Sequence, residues 1–369
     1  MGRIQNSQAH DTSGSAGLSI DIAGIESVPI WSDYCAGHPG ALFSQLPGWC
    51  RTLADTYRLP LFVLRAREND SGETTVGLLP LLLFAPPGNT RRLISLPYTD
   101  AAGVLADSED VRHRLLLAAL QLAEELAADH LEVREYRPEP VGGPPPDLDS
   151  RWVYREFDFK IGLQRSLPET ADTLWASLGS KVRNQVRKAE RCGCRCAIGG
   201  SELLDDFYAV FSENMRDLGS PTHSIELFHR LLDHDEPSTR CLVVSCDGVP
   251  AAGAIVLRSG ETLANPWASS LRRFRPRCPN MLLYWSMLRL AVEQGCRRFD
   301  FGRSSRDTPT HRFKKQWGAV PRRLCWQVFS RSMPLWRPDN ESLVAEQWRL
   351  MDLESSRRCG PARRRWISL

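Results

Sequence analysis

RFDFGRSSRDTPTHRFKKQWG, residues 298–318, is the stretch on which the reading of the fold turns. Phe299 and Phe301 alternate with Asp300, the pattern of a short strand with one buried face, and Gly302 releases the chain into a polar turn. Phe313 and Trp317 lie four residues apart and anchor one face of a helical turn, leaving Lys314 and Lys315 to project elsewhere. The stretch therefore gathers Asp300, Arg303, Ser304, Ser305 and two lysines at a strand end. Two readings stand for it: a buried strand with a solvated basic turn, or a reactive cluster.

Working outward, Gly295 closes a preceding helix as a C′ glycine would. Asn280 caps that helix, whose Leu283, Met287, Leu290, Ala291 and Gln294 form one stripe. Further upstream, Cys241–Cys246 and Pro250–Leu257 form a hairpin about Asp247-Gly248, a strong two-residue turn signal, and Leu263–Ala268 reads as a third strand. The same order occurs in the N-terminal half. There Leu61–Arg67 and Thr75–Phe84 make a hairpin about Asn69–Gly72, and strand mixed with loop follows over Leu93–Leu105. A helix capped by Ser108 or Asp110 then leads to the strand Leu131–Tyr136. Leu18–Ile30 reads as an opening strand. Between the halves, residues 137–150 hold five prolines and two glycines, a linker composition. This is a repeated architecture with little sequence identity, and two mixed α/β units so joined place a cleft between them.

The second unit carries an insertion. Leu174–Arg195 reads as one helix with Val182, Val186 and Ala189 on one side and Arg183, Arg187 and Arg191 in i, i+4 register on another. Such like charges repel by roughly a few tenths of a kcal/mol per pair unless an anion compensates. The face is either solvated or a phosphate-binding surface.

With 42% hydrophobic and 25% charged residues the composition is that of a globular protein with room for two cores. A net charge of +3 is too small for a dedicated DNA or RNA binder. Eleven cysteines in a chain of this size imply reduced thiols and a cytoplasmic location. The spacing of Cys192, Cys194 and Cys196 is not that of a zinc site, so no metal is expected. Residues 1–17 are polar and read as disordered. The apolar run Val76–Pro87 is too short to cross a bilayer and reads as a buried strand.

SKVRNQVRKAE (Ser180–Glu190), NMRDLGSP (Asn214–Pro221), NPWASS (Asn265–Ser270), PNMLLYW (Pro279–Trp285), FDFGRSS (Phe299–Ser305) and FKKQWG (Phe313–Gly318) occur in this order. The set resembles the FemAB-like branch of the GNAT acyltransferases, and within it the FemAB-related proteins associated with exosortase and exopolysaccharide systems. The resemblance covers about residues 18–330. It implies an α/β mixed-sheet fold of two tandem GNAT-like domains, residues 18–150 and 151–330, with a cleft between them. It further implies an N-acyltransferase moving an acyl or aminoacyl group to an amine of a cell-envelope or exopolysaccharide precursor. No tightly bound cofactor is implied, and the donor is acyl-CoA or aminoacyl-tRNA. A non-catalytic tandem GNAT binding a phosphorylated or nucleotide-linked sugar is the alternative.

Carried onto this sequence, Lys314 of the FK motif stabilises developing negative charge or holds the donor. The resemblance carries no role to Asp300 and Arg303, which stand as catalytic candidates by position, Asp300 orienting Arg303, accepting a proton or serving as a structural pair. Lys181, Arg183 and Arg187 meet acceptor phosphates, and Tyr284 lines the cleft. Asn265, Trp267, Ser304 and Trp317 complete the substrate-binding set. One departure matters: the loop before the Asn280 helix, Leu271–Pro279, has four arginines and no glycine, which weighs against a CoA pyrophosphate cradled by backbone amides and leaves the arginine side chains as the alternative phosphate ligands.

Residues 331–369 form a basic tail with Trp336, Trp348 and Trp366. A helix is expected over Glu341–Met351, with Gly360-Pro361 as a break, and the tail packs on the second unit or touches an anionic membrane surface at its inner face.

Overall fold

The computed structural model describes residues 17–23, 28–68, 74–137, 143–234, 238–331 and 342–368. Residues 1–16, the Asn69–Gly72 turn, Trp336 and the middle of the proline-rich linker lie outside these.

The first unit contains β1 (Leu18–Ile22), α1 (Val28–Gly37), α2 (Pro47–Tyr57), β2 (Leu61–Glu68), β3 (Thr74–Phe84), β4 (Arg92–Ile94), β5 (Leu105–Ala106), α3 (Glu109–Glu125) and β6 (His130–Tyr136). The second begins with β7 (Val153–Phe157), β8 (Ile161–Ser166), α4 (Ala171–Ser177), α5 (Ser180–Arg191), β9 (Cys194–Gly199), α6 (Leu204–Leu218) and α7 (Ile225–Asp233). It continues through β10 (Ser238–Cys246), β11 (Val249–Ser259), β12 (Thr262–Ser270), α8 (Pro279–Glu293), β13 (Arg298–Ser304), α9 (Pro309–Gln316) and β14 (Val320–Ser330). Two C-terminal helices follow, α10 (Ser342–Leu350) and α11 (Leu353–Arg364).

The fourteen strands of the described residues join one sheet, ordered β1-β2-β3-β4-β6-β14-β8-β13-β12-β11-β10-β9, with β5 on β3 and β7 on β14. Each unit runs helix pair, antiparallel hairpin, third strand, helix and parallel strand. The parallel pairs are β4–β6 and β12–β13. Strand β14 fuses the units, pairing β8 through Val320–Arg323 and β6 through Leu324–Ser330.

The β12–β13 pair is brief. Thr262–Ala264 matches Arg298–Asp300, and no further pair joins the two strands, although β12 stays on β11 as far as Ser270. β13 turns instead to β8. The strands thus splay and leave β12 with an open backbone edge.

Alternation along β13 sorts its side chains between two cores. Phe299 and Phe301 are fully enclosed with α8 and the apolar side of α5. Asp300 takes the other face, toward a core in which Trp49, Tyr57 and Phe84 of the first unit meet Phe207, Phe228 and Trp267 of the second. That shared core, not a flexible linker, holds the units together.

Several expectations need correction. The opening strand stops at Ile22 and Val28 begins a helix. The long inserted helix is two, because Leu178 is extended and Gly179 serves as N-cap of α5. Helix α8 is capped at Cys278, with Pro279 in its first turn where a missing N–H costs nothing, so Asn280 is already helical. Pro361 lies inside α11, and Gly360 packs on Thr222 with no room for a Cβ. Cys194 and Cys246 stand opposite one another in the β9–β10 register and are joined as a disulfide, which the all-reduced reading had not foreseen.

The tail also departs from expectation, since it packs on both units. Trp348 is buried and Trp366 packs edge-on against Phe84 of the first unit. The Ser368 carbonyl accepts hydrogen bonds from the Tyr98 amide at 2.8 Å and the Arg134 guanidinium at 3.0 Å. Arg134, fully buried, also donates to Glu132 and to the Thr99 carbonyl and stacks over Trp326 at 4.1 Å. No helix of the described residues is long and apolar enough to cross a membrane.

Candidate active site

A cavity of about 280 Å³ opens between the units. It has a charged end and an aromatic end.

At the charged end Asp100 of the first unit grips Arg303 of the second. Its Oδ2 accepts the Arg303 amide at 2.8 Å and its Oδ1 lies 2.9 Å from the guanidinium. Gly302 makes this approach possible. Its φ of +68° is left-handed, and a Cβ there would press on Asp100 Oδ2 at 3.3 Å. Asp100 itself follows Leu96 and Tyr98, both non-glycine residues at positive φ (60° and 66°), so its loop is held in a strained form by its surroundings. Trp326 adds a hydrogen bond from Nε1 to the Asp100 carbonyl.

Asp300 is buried, and its Oδ1 accepts the Gly302 amide at 2.8 Å. Burial raises its pKa to about 6; the Gly302 amide pulls it back in part, and Asp100 pushes it further up. The idea that Asp300 orients Arg303 gives way here, since Arg303 pairs with Asp100.

Lys314 reaches the same end from α9, a helix capped by Thr308, whose Oγ1 accepts the His311 amide. Phe313 and Trp317 dock α9 on Tyr284, and this turns the intervening Lys314 inward while Lys315 stays exposed. The Lys314 ammonium donates to the Arg303 carbonyl at 2.7 Å. Desolvation lowers its pKa to about 8, with Asp100 and Asp300 opposing that fall. The Tyr136 hydroxyl lies in the field of both acids, and burial pushes its pKa well up.

The aromatic end is walled by Trp49, Tyr98, Phe211, Met215, His223 and Trp267. Trp267 lies 5.7 Å from Trp49 and 5.6 Å from His223, ring to ring. Arg364, from α11, closes this end with Nε donating to His223 Nε2 at 3.2 Å. Burial, reinforced by Arg364, holds the His223 imidazole neutral by lowering its pKa.

The residues singled out from sequence separate into three groups. Lys314, Asp300, Arg303, Asn265 and Trp267 border the cavity. Asn265 spends its amide N–H groups on the Ile255 and Trp267 carbonyls, where the β11–β12 register shifts. Tyr284 and Trp317 do not border it; they stack with Phe301 and Phe313 on the far side of β13. Ser304 is buried with an unpartnered hydroxyl, also outside the cavity lining.

Lys181, Arg183 and Arg187 lie on α5, which packs on the α8 side of the sheet, opposite the cavity. The Arg187 guanidinium rests over Trp175 at 5.4 Å. Of the four loop arginines, Arg272 donates to the Asp217 carbonyl, Arg273 pairs with Glu213 and Arg277 pairs with Asp247. Among the described residues no cluster of His, Cys, Asp and Glu is arranged for a metal ion.

Asp100, Tyr136, His223 and Arg364 were not singled out from sequence. PYTD at Pro97–Asp100 was a visible loop signal, but its partner lies two hundred residues away.

Residues 176–315 match the acetyltransferase (GNAT) domain family. Among solved structures, FemX matches with a TM-score of 0.63 and 16% identity over 83% of this chain and 96% of its own. L-PGS from Bacillus licheniformis gives 0.55 and 13% over 88% and 97%. A tandem GNAT protein from the clavulanic acid biosynthesis pathway gives 0.50 and 15% over 86% and 100%. No curated protein matches the chain in sequence. The fold is therefore that of the tandem GNAT proteins, with a GNAT-type acyltransferase domain in its second half.

Proposed function

We propose that the protein transfers an acyl or aminoacyl group from an activated donor, acyl-CoA or aminoacyl-tRNA, to an amine of a cell-envelope or exopolysaccharide precursor in the cytoplasm. The observation that carries this is the meeting of Asp300 and Lys314, both with pKa values drawn toward neutrality, at the charged end of a cavity between two GNAT units.

A neutral amine gives up a proton from its nitrogen as it adds to a carbonyl, and Asp300, with a pKa near 6, is a matched acceptor at neutral pH. Attack places negative charge on the carbonyl oxygen, and the Lys314 ammonium, fixed by the Arg303 carbonyl, is preorganised to stabilise it. Collapse of the tetrahedral species expels the thiolate or ribose oxygen, and the proton held by Asp300 goes to that leaving group. Asp100 keeps Arg303, and so the carbonyl that positions Lys314, in place. The open edge of β12 beyond Ala264 supports the reading, because an extended donor arm can hydrogen-bond there as an added strand.

Lys314→Ala should lower transfer to an amine acceptor by about a hundredfold or more, the scale for losing one oxyanion donor, with the fold intact by circular dichroism. Full activity in that variant would remove Lys314 from the mechanism. Ligand binding with no transfer under any donor would leave only a binding protein.

A further inference from the structure

The aromatic end of the cavity has walls but few free hydrogen-bonding groups. The Trp49 indole N–H is spent on Thr99 Oγ1 at 3.2 Å, and the Tyr98 hydroxyl on the Arg365 carbonyl at 2.5 Å. Both His223 nitrogens are engaged, one by Tyr57 and one by Arg364. The Asn265 amide N–H groups are held by the two backbone carbonyls at the β-bulge. What these groups leave to a ligand is ring faces, the Phe211 ring and the Met215 thioether.

A sugar in this lobe would bring several hydroxyls and find most candidate partners occupied, which a buried polar group does not tolerate. An alkyl or aromatic group would lose only water. The lobe runs on from the charged end, since Thr99, which holds Trp49, adjoins Asp100. A group bonded to a carbonyl carbon placed between Asp300 and Lys314 therefore enters it directly.

We infer that the aromatic lobe is an acyl-chain pocket, and that the group transferred is apolar and longer than acetyl. The inference rests on the transfer reading above and names its donor class. The acceptor, with its polar atoms, then occupies the charged mouth.

The test is a binding series that does not require turnover: acetyl, butyryl, hexanoyl and octanoyl thioesters of N-acetylcysteamine, titrated calorimetrically into the full chain. Affinity should rise roughly fourfold for each added methylene until the lobe is full. Met215→Trp, which fills the lobe from α6, should abolish that gain. Ala41→Leu, on the cavity wall contributed by the first unit, provides a second narrowing variant should the first fail to fold. Hexylamine and glucosamine are the controls. A chain-length gain confined to the amine would assign the lobe to the acceptor and overturn the inference. So would equal binding of all four thioesters, or glucosamine binding that Met215→Trp weakens. Chain-length-dependent thioester binding without any transfer would sustain the pocket and sink the transfer reading; acetyl transfer without chain-length dependence would do the reverse.

Discussion

Replacing Asp300 with asparagine should stabilise the protein, and the gain should grow with pH. Asp300 is buried and its pKa stands at about 6 against 3.8 for a free carboxyl. The folded state therefore binds this proton more tightly than the unfolded state, so stability contributed by the site is highest at low pH. It falls as pH rises from 3.8 through 6. At 1.36 kcal/mol per pH unit the charged form costs about 3 kcal/mol once pH is well above 6. Linkage arithmetic puts the cost at about 1–2 kcal/mol near pH 5 and about 3 kcal/mol near pH 7.5. Asparagine keeps an oxygen for the Gly302 amide and carries no charge. Urea unfolding of both proteins at the two pH values should show the variant's advantage larger by about 1 kcal/mol at the higher one. Transfer activity should be lost in the same variant. An advantage that is independent of pH, or a variant less stable than the parent near pH 7.5, would refute the placement of Asp300 as a costly buried carboxylate.

The rate of transfer should follow a bell in pH, rising as Asp300 loses its proton near 6 and falling as Lys314 loses its own near 8. A profile flat across that window would separate both groups from the rate-limiting step. Gly162→Ala should displace Tyr136, because a Cβ there would press on its ring Cε1 and lie 2.8 Å from its hydroxyl. We expect a loss of about 1–3 kcal/mol in stability with a parallel fall in transfer, and unchanged melting and activity would show that the ring has room to yield.

How much of this was legible beforehand follows from the range of each interaction. The Phe299/Phe301 alternation, the Asp247-Gly248 hairpin and Gly295 after α8 are local devices, and each took the expected form. The i, i+4 pair of Phe313 and Trp317 that docks α9 is local too, whereas Lys314 was singled out through the FK motif and its inward turn was not expected. The basic helix misled because its spacing says only that Arg183 and Arg187 share a face; which side of the sheet that face meets depends on how α5 packs on α8. Asp100, Tyr136 and Arg364 owe their positions to pairings between distant segments. The strained backbone at Leu96 and Tyr98 carries no glycine or asparagine to announce it. The disulfide was hidden likewise, since a register of β9 on β10 is needed to bring its cysteines together.

Strand β14 has a consequence for how the chain is made. Its residues Leu324–Ser330 complete the edge of β6, whose own residues leave the ribosome about 190 residues earlier, a separation that places this pairing among the slowest to form. Until β14 arrives, the first unit exposes an unpaired strand flanked by Leu131 and Val133, a template for association with other chains. The first unit expressed alone, ending before β7, should therefore aggregate, although it contains its own helices and hairpin. The seam that makes the two units one sheet also makes the N-terminal half depend for its completion on the C-terminal half.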